Sequence, residues 1–383
     1  LCHREFAVAQ KDAFQLIPCL LHTSSITAFN NENGFRAPSG IYNFIWSGRI
    51  SHLLSEYFPG EKIDLSTVQN PAPIEFLSLM GSVGSIAYTD KSDFDYWVCI
   101  RNDVTDFERA RLEEKLLKIE AWSLEYLKVE VHFFVTTSIS LRDNNYGSVT
   151  SESCGSALGK LLKEEYYRGS LLISGKIPLW WGLPIGVDDE LYKKYASALL
   201  KETSELSKVF VDIGNVHRIP QGEFLGGGLW QLNKSISSPF KSVLKMALLI
   251  EYSDESSQEV LVSTQTKKMI FDNPSAMRHL DPYQNMLDRI LAYYKKNGTK
   301  SELHLMRQCF FLKIKPKVSR WLDSPLTPPR NVDAIMVKYC KEWGWGEREV
   351  MQCEEFDLMP LKEALKLKRR CEAFMQKSLL KLE

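Results

Sequence analysis

The chain has 383 residues, and its 48 Lys plus Arg balance 48 Asp plus Glu, so the formal net charge is zero. This length is enough for two or three domains that each bury a core. The neutral balance argues against general binding of nucleic acid. With 44% hydrophobic and 25% charged residues, the composition also excludes a largely disordered chain.

The eight cysteines are scattered along the sequence without a Cys-x-x-Cys pair. This pattern fits neither a zinc cluster nor a disulfide framework and predicts reduced thiols, as in the cytoplasm. The apolar stretches are far shorter than the ~20 residues needed to cross a bilayer, and no signal peptide is readable after Leu1. We therefore expect a cytoplasmic location and no membrane span.

Residues 1–73 are predicted to be an N-terminal helical segment. Apolar residues recur at helical spacing around Phe14–Leu21 and Ile50–Phe58. The segment ends at Asn70-Pro71-Ala72-Pro73, since two prolines so close together cannot continue a helix. A domain boundary is expected there.

Residues 74–187 have the sequence pattern of a sheet with flanking helices. Strands are predicted at Ile74–Leu79, Asp93–Ile100 and Val129–Val135, with an amphipathic helix at 107–127 before the third strand. The region 157–173 is predicted to be helical. Residues 177–181 are predicted to be a last, peripheral strand, because a proline cannot donate to a central ladder.

Residues 188–383 return to helical periodicity, and we expect a helical domain. The predicted helices are 191–211, 229–252, 282–295, 303–313 and 360–382. A small sheet region followed by helices places the chain in the α+β class.

The segment Met80-Gly81-Ser82-Val83-Gly84-Ser85, followed by Asp93-Phe94-Asp95, carries the clearest chemical signal. Two carboxylates two residues apart on a strand project from the same face and can share divalent cations. Mg²⁺ takes carboxylate and phosphate oxygens, so an acidic pair beside a Gly-Ser turn predicts a bound nucleoside triphosphate. In that turn Gly81 allows close approach of the backbone, and Ser82, Ser85 and nearby amides are candidates to hold phosphate oxygens.

A third acid is needed if one metal activates a hydroxyl while another holds the leaving group. Glu130 is the candidate, because it sits at the centre of the next predicted strand, where hydrophobic residues on both sides would fix its direction. His132 shares its face, but a strand residue without a chemical role is the favoured interpretation of that histidine. A lone Asp-x-Asp is weak evidence by itself. Its combination with the Gly-Ser turn and the later strand predicts a metal-dependent nucleotidyltransferase-type site.

The motif GSVGS…SDFDYWVC resembles the signature of the class I bacterial adenylate cyclases, which belong to the DNA polymerase β-like nucleotidyltransferase superfamily. The segments KVEVHFFV, GGGLWQLNKSISSPFKSVLK and LDPYQNMLDRI resemble cyclase segments in the same order. The resemblance implies that residues 74–187 are a nucleotidyltransferase catalytic domain, with a polymerase β-like mixed sheet and flanking helices, and that residues 188–383 are a helical domain that completes the nucleotide cleft. It also implies that Ser82, Ser92, Asp93, Asp95 and Trp97 match active-site positions, with the aspartates as ligands of Mg²⁺.

Two lysines of the helical region are candidates to clamp the triphosphate. Lys241 and Lys245 are four apart and therefore neighbours on one helix face. The superfamily resemblance suggests that one of them contacts phosphate, and a solvated lysine face is the alternative. Trp97 is a candidate to stack on adenine, with core packing as its alternative.

The predicted function is adenylate cyclase activity, a phosphorus-oxygen lyase reaction that converts ATP to 3′,5′-cyclic AMP and pyrophosphate. Asp93, Asp95 and Glu130 are predicted to bind two Mg²⁺ ions, for which Mn²⁺ can substitute. One alternative is a nucleotidyltransferase that uses an external hydroxyl acceptor. The other is a non-catalytic nucleotide-binding module.

Overall fold

The structure is a computed structural model of the chain. It describes residues 6–30, 36–89, 92–146, 158–201, 203–254, 260–275 and 280–383. The chain divides into two compact units. The first comprises Leu1–Ser85, Thr89–His217 and Lys267–Arg278, and the second comprises Ile86–Tyr88, Arg218–Thr266 and His279–Glu383.

The first unit is built on a four-stranded mixed sheet. Its strands are β1 (Ile74–Met80), β2 (Phe94–Ile100), β3 (Val131–Thr137) and β4 (Leu171–Gly175), in the order β3-β2-β1-β4. The pair β2–β3 is parallel, whereas β1 is antiparallel to both β2 and β4. The central strands β1 and β2 are almost wholly buried, which fits their runs of apolar residues.

Helices and short elements surround this sheet. They are α1 (Val8–His22), α2 (Gly48–Tyr57), α3 (Asp106–Trp122), α4 (Ser138–Arg142), α5 (Gly159–Gly169), α6 (Leu179–Gly182), α7 (Asp189–Leu199) and α8 (Leu206–Val209). A two-stranded parallel sheet joins β5 (Ile177–Pro178) to β6 (Phe210–Val211). The helix α3 connects the parallel strands β2 and β3, as a parallel pair requires.

Helix α3 begins with a reciprocal cap. The Thr105 hydroxyl accepts from the Glu108 amide, and the Glu108 carboxylate accepts from the Thr105 amide. The helix then buries Leu112, Leu116 and Ile119 at helical spacing. The predicted order of strand, helix and strand is confirmed.

The fourth strand corrects the sequence prediction. Residues 171–173 were expected to end a helix, but α5 ends at Gly169 and Leu171–Gly175 pairs with β1 instead. The apolar run Leu171-Leu172-Ile173 is too short for its periodicity to distinguish a strand from a helix. The predicted strand 177–181 is also wrong beyond Pro178, because Leu179–Gly182 forms a helical turn.

The second unit is helical. Its helices are α9 (Gln221–Lys234), α10 (Pro239–Ser253), α12 (Pro282–Asn297), α13 (Lys300–Ile314), α14 (Asn331–Trp343), α15 (Glu347–Glu354) and α16 (Leu361–Leu382), and α11 (Val262–Asp272) begins in this unit. The single helix predicted over 229–252 is in fact two, since Pro239 occupies the first turn of a new helix. The helix predicted over 191–211 is likewise interrupted, as α7 ends at Leu199. A sheet region and a helical region confirm the α+β class.

Among the helices in the described part of the chain, none is long and apolar enough to cross a membrane.

Candidate active site

The predicted acidic residues lie at one end of the parallel pair β2–β3. Asp95 is the second residue of β2, and Asp93 lies one residue before the strand. Glu130 lies one residue before β3, and its carbonyl accepts a hydrogen bond of 2.9 Å from the Phe94 amide. The strand therefore begins two residues later than predicted, and the prediction that Glu130 sits at its centre is wrong, because Glu130 precedes the strand.

The strand register decides which side of the sheet each acid occupies. Asp95 is the direct partner of His132 in the parallel ladder, so both side chains project from the same face. Glu130 is two residues before His132, and its Oε1 lies 3.1 Å from Nε2 of that histidine. The acid of β2 and the acid that precedes β3 are thus on the same side of the sheet.

The three carboxylates differ in exposure. Asp93 is exposed and Asp95 is half-buried, while 65% of the Glu130 side chain is accessible to solvent. Within the described residues, no group of three or more His, Cys, Asp and Glu side chains is placed to hold a metal ion. In this arrangement Glu130 contacts His132.

The donor chemistry of these residues fits Mg²⁺. Carboxylate oxygens are the ligands that this hard cation takes, and an acid pair leaves room for phosphate oxygens and water. One oxygen of Asp95 also lies beside the Gly-Ser turn, because a Cβ built on Gly81 would be 3.6 Å from Asp95 Oδ2. The metal-ligand role of Asp93, Asp95 and Glu130 stays a prediction.

The turn after β1 has the backbone that its glycines allow. Gly81 and Gly84 have φ values of +97° and +83°, in the region that favours glycine. The Ser85 hydroxyl donates to the Ser82 carbonyl at 2.7 Å, and the Ser85 amide donates to the same oxygen at 3.0 Å. The turn is therefore closed by its own hydrogen bonds.

Ser92 links the two ends of the segment that leads into β2. Its hydroxyl accepts from the Ser82 hydroxyl at 3.0 Å and from the Thr89 amide at 3.0 Å. The sequence prediction gave Ser92 a nucleotide-binding role through a resemblance, and the structure adds this connecting role. Thr89 was not singled out, and a threonine in a loop carries no signal of its own.

Trp97 lies within the core. Trp97 is 4% exposed, and its ring centroid is 5.3 Å from that of Tyr166 and 5.7 Å from that of Tyr146. The Tyr166 hydroxyl is paired with Ser78 at 2.9 Å, and burial raises the pKa of this tyrosine. These contacts favour the packing alternative for Trp97, and stacking on a base stays untested.

The two candidate lysines belong to the second unit. Lys241 and Lys245 lie on α10, four residues apart, and both are half-buried. Their neighbours on the helix, Val243, Leu244 and Met246, are fully buried. The predicted contact of either lysine with phosphate stays a prediction.

The amino-acid sequence is similar to models of two consecutive protein domains. Residues 2–181 match the adenylate cyclase NT domain, and residues 219–382 match the second domain of class-I adenylate cyclase. No solved structure matches the chain.

Individual relatives give the same result. The chain is 33% identical over 343 residues to the adenylate cyclases of Shigella flexneri and Escherichia coli K12, which covers 88% of this chain and 39% of theirs. It is 31% identical over 365 residues to the adenylate cyclase of Pasteurella multocida, which covers 92% of this chain and 42% of that protein. The chain thus spans about two fifths of the length of these relatives.

Proposed function

The chain belongs to the class I adenylate cyclase family, and on this premise we propose that it converts ATP to 3′,5′-cyclic AMP and pyrophosphate. The observation that carries the proposal is the match of two cyclase domain models to successive parts of the chain, residues 2–181 and 219–382. The position of Asp95 beside the Gly-Ser turn supports it. The reaction class is that of a phosphorus-oxygen lyase.

The proposed mechanism rests mainly on positioning. Asp93, Asp95 and Glu130 would hold the metal, and the turn from Gly81 to Ser85 would orient the triphosphate through hydroxyl and amide donors. When bound, Mg²⁺ supplies Lewis-acid stabilisation of charge on phosphate oxygens and on the attacking ribose hydroxyl. In the proposed reaction, the ribose 3′-hydroxyl attacks the α-phosphorus, and pyrophosphate leaves in line.

The first unit contributes the framework that holds these acids. The parallel register keeps Asp95 on the face that also carries Glu130 and His132. The Ser92 hydroxyl fixes the distance between Ser82 and Thr89. These contacts preorganise the acid pair and the turn, which lowers the entropy cost of reaching a reactive geometry.

We also propose a reducing, cytoplasmic setting. Cys19, Cys99 and Cys309 are examples of the free cysteines within the described residues, and all are buried. Burial raises the pKa of the Cys19 thiol to about 12, which keeps it protonated and unreactive. Subcellular fractionation of the native host tests this proposal, and recovery with a periplasmic marker would contradict it.

The test of the activity uses the purified chain with ATP and Mg²⁺. We expect chromatography to show 3′,5′-cyclic AMP and pyrophosphate in equal amounts, with loss of both products in Asp95→Asn. Nucleotide transfer that requires an added hydroxyl compound, without a cyclic product, would instead indicate a transferase. Binding of ATP without turnover in either Mg²⁺ or Mn²⁺ would indicate a non-catalytic module.

A further inference from the structure

Asp281 is a buried carboxylate with three backbone donors. It is 1% exposed and lies immediately before α12. Its Oδ1 accepts from the amides of Tyr283 at 2.9 Å and Gln284 at 3.0 Å, as expected of an aspartate that caps a helix. Its Oδ2 makes a different contact.

That second oxygen accepts a hydrogen bond of 2.7 Å from the Ile86 amide, which is 195 positions earlier in the chain. Ile86 is 2% exposed and Ala87 is fully buried, so water does not compete for this amide. A hydrogen bond to a charged acceptor in such surroundings is among the stronger ones in proteins. A helix cap alone would not require it.

Ile86 is the residue that directly follows the Gly-Ser turn. The turn residues Gly81, Ser82 and Ser85 precede it in the chain, and the Ser85 amide and hydroxyl are both bonded to the Ser82 carbonyl. Ile86 is joined by one peptide bond to Ser85, so a fixed Ile86 amide limits where the last residue of the turn can lie. At the other side of the segment, Ser92 holds Thr89 and Ser82.

We propose that Asp281 is a positioning residue for nucleotide binding, acting through the Ile86 amide on the turn that contains Gly81, Ser82 and Ser85. This inference rests on the proposed function, because it assigns a purpose to the exact placement of the turn. Asp281 itself touches neither the acids nor the serine hydroxyls in the contacts described above.

The two roles of Asp281 can be separated by substitution. Serine is a good helix cap but offers one oxygen on a short side chain, so Asp281→Ser keeps the cap and removes the acceptor of the Ile86 amide. Asp281→Asn preserves the size and one acceptor oxygen, but it places an NH₂ donor where a second acceptor was. The matched control is Asp188→Ser, because Asp188 caps α7 through a 2.8 Å bond from the Leu191 amide.

The first measurement does not depend on catalysis. Hydrogen exchange of the peptide that contains Ile86 is followed in the parent chain, in Asp281→Ser and in Asp188→Ser at pH 8. Burial raises the pKa of Asp281 to about 6, so the parent carboxylate is ionised at this pH. We expect exchange at Ile86 to be at least about 10-fold faster in Asp281→Ser and Asp281→Asn, and unchanged in Asp188→Ser.

The second measurement is steady-state formation of cyclic AMP at pH 8. We expect Asp281→Ser to raise the KM for ATP and to lower kcat/KM by about 10-fold or more, since small misplacements of binding groups are costly. Asp188→Ser should stay within twofold of the parent at a similar Tm. Asp281→Asn, which keeps the side-chain volume, should repeat the defect of the serine variant.

The outcomes distinguish this proposal from the proposed function. If the parent forms no cyclic nucleotide, the cyclase proposal fails, whereas hydrogen exchange and ATP affinity still test the Asp281 anchor. Unchanged exchange at Ile86, or unchanged KM and kcat in both Asp281 variants, overturns the positioning role. A loss of Tm in Asp281→Ser with parent kinetic constants would assign Asp281 to helix capping only, and this also overturns it.

Discussion

Asp95 and His132 are direct partners across the parallel strands β2 and β3, and the next pair in the ladder, Tyr96 and Phe133, stacks on the opposite face with ring centroids 5.5 Å apart. The stacked rings favour this register, and Tyr96 is fully buried beneath the half-buried Phe133. A slip of one residue would move Asp95 into the core. The position of the acidic face is thus secured by packing on its reverse side.

Replacing Asp95 by Asn should abolish product formation while the chain stays folded. The amide keeps the shape of the carboxylate but removes its charge, and metal-assisted charge stabilisation amounts to several kcal/mol. We expect a loss of at least about 100-fold in kcat/KM. Product chromatography measures the activity, and circular dichroism with a thermal melt measures the fold.

Asp103→Asn is the matched control for that change. Asp103 lies in the loop after β2, and 64% of its side chain is exposed in an ion pair with Arg101. Exposed pairs contribute at most about 1 kcal/mol, so activity should stay within twofold. Parent activity in Asp95→Asn would contradict the assignment of the acidic pair.

Gly81→Ala should reduce activity more than it reduces stability. Its φ of +97° strains any residue with a Cβ, at a cost of about 1 kcal/mol in the free energy of unfolding. The added methyl would also lie 3.6 Å from Asp95 Oδ2, next to the proposed site. Urea denaturation and cyclic AMP formation measure the two effects.

Gly60→Ala provides the comparison, since its φ is +91° and a Cβ there meets nothing within 4 Å. It should lose a similar amount of stability and retain parent kinetics. If both alanine variants lose activity to the same extent, backbone strain alone explains the result. The role of the Gly81 turn in binding would then be rejected.

Substitutions of Glu130 and of His132 should differ in their effects on catalysis. The pair is largely exposed, at 65% and 43% of the two side chains, so either change should alter the free energy of unfolding by less than about 1 kcal/mol. We expect Glu130→Gln to lower kcat/KM and to raise the Mg²⁺ concentration needed for half-maximal rate. His132→Gln should leave both within twofold, and equal losses in the two variants would assign a chemical role to the histidine.

The buried Lys115 should make stability depend on pH. Its Nζ donates to the Thr23 carbonyl at 2.6 Å, and burial lowers its pKa to about 7. Between pH 7 and pH 8.5 the unfolded chain holds more protons at this site than the folded chain, so Lys115 contributes a rise of about 1 to 2 kcal/mol in the free energy of unfolding. Lys163 and Lys267, whose pKa values burial lowers to about 8, add to the total rise. Urea denaturation at the two pH values measures the rise.

Lys115→Met tests the source of this dependence. The substitution removes the titrating group but keeps a side chain of similar length. The part of the rise in the free energy of unfolding that is due to Lys115 should therefore disappear. Cys19 lies nearby, but burial raises the pKa of its thiol to about 12, so only its unfolded form begins to titrate near pH 8.5. A rise of the same size in the methionine variant would place the titration elsewhere.

The strands of the sheet core could be predicted from sequence, because both their residue composition and the alternation of apolar and polar residues indicate β-strands. The predicted bounds of β1 and of β2 each differ from the observed bounds by one residue. The start of β3 was set two residues too early, because Lys128 adopts a left-handed conformation and the Val129 amide bonds back to Ser123. These are tertiary and turn effects that periodicity does not report.

The site was accessible to sequence reasoning only where its residues are close together in the chain. Gly81, Ser82, Asp93 and Asp95 fall within fifteen positions and form a readable pattern. Asp281 precedes a proline at a helix start, so its capping role could be inferred, but its bond to Ile86 could not. A contact over 195 positions leaves no local signal in a single sequence.

The separation of Ile86 from Asp281 also has a consequence for biosynthesis. A ribosome makes the acids and the serine turn long before it makes the aspartate that accepts the Ile86 amide. Every nascent chain that ends before Asp281 lacks this carboxylate. Translation therefore completes the strands first and supplies the partner of Ile86 only 195 residues after Ile86 itself.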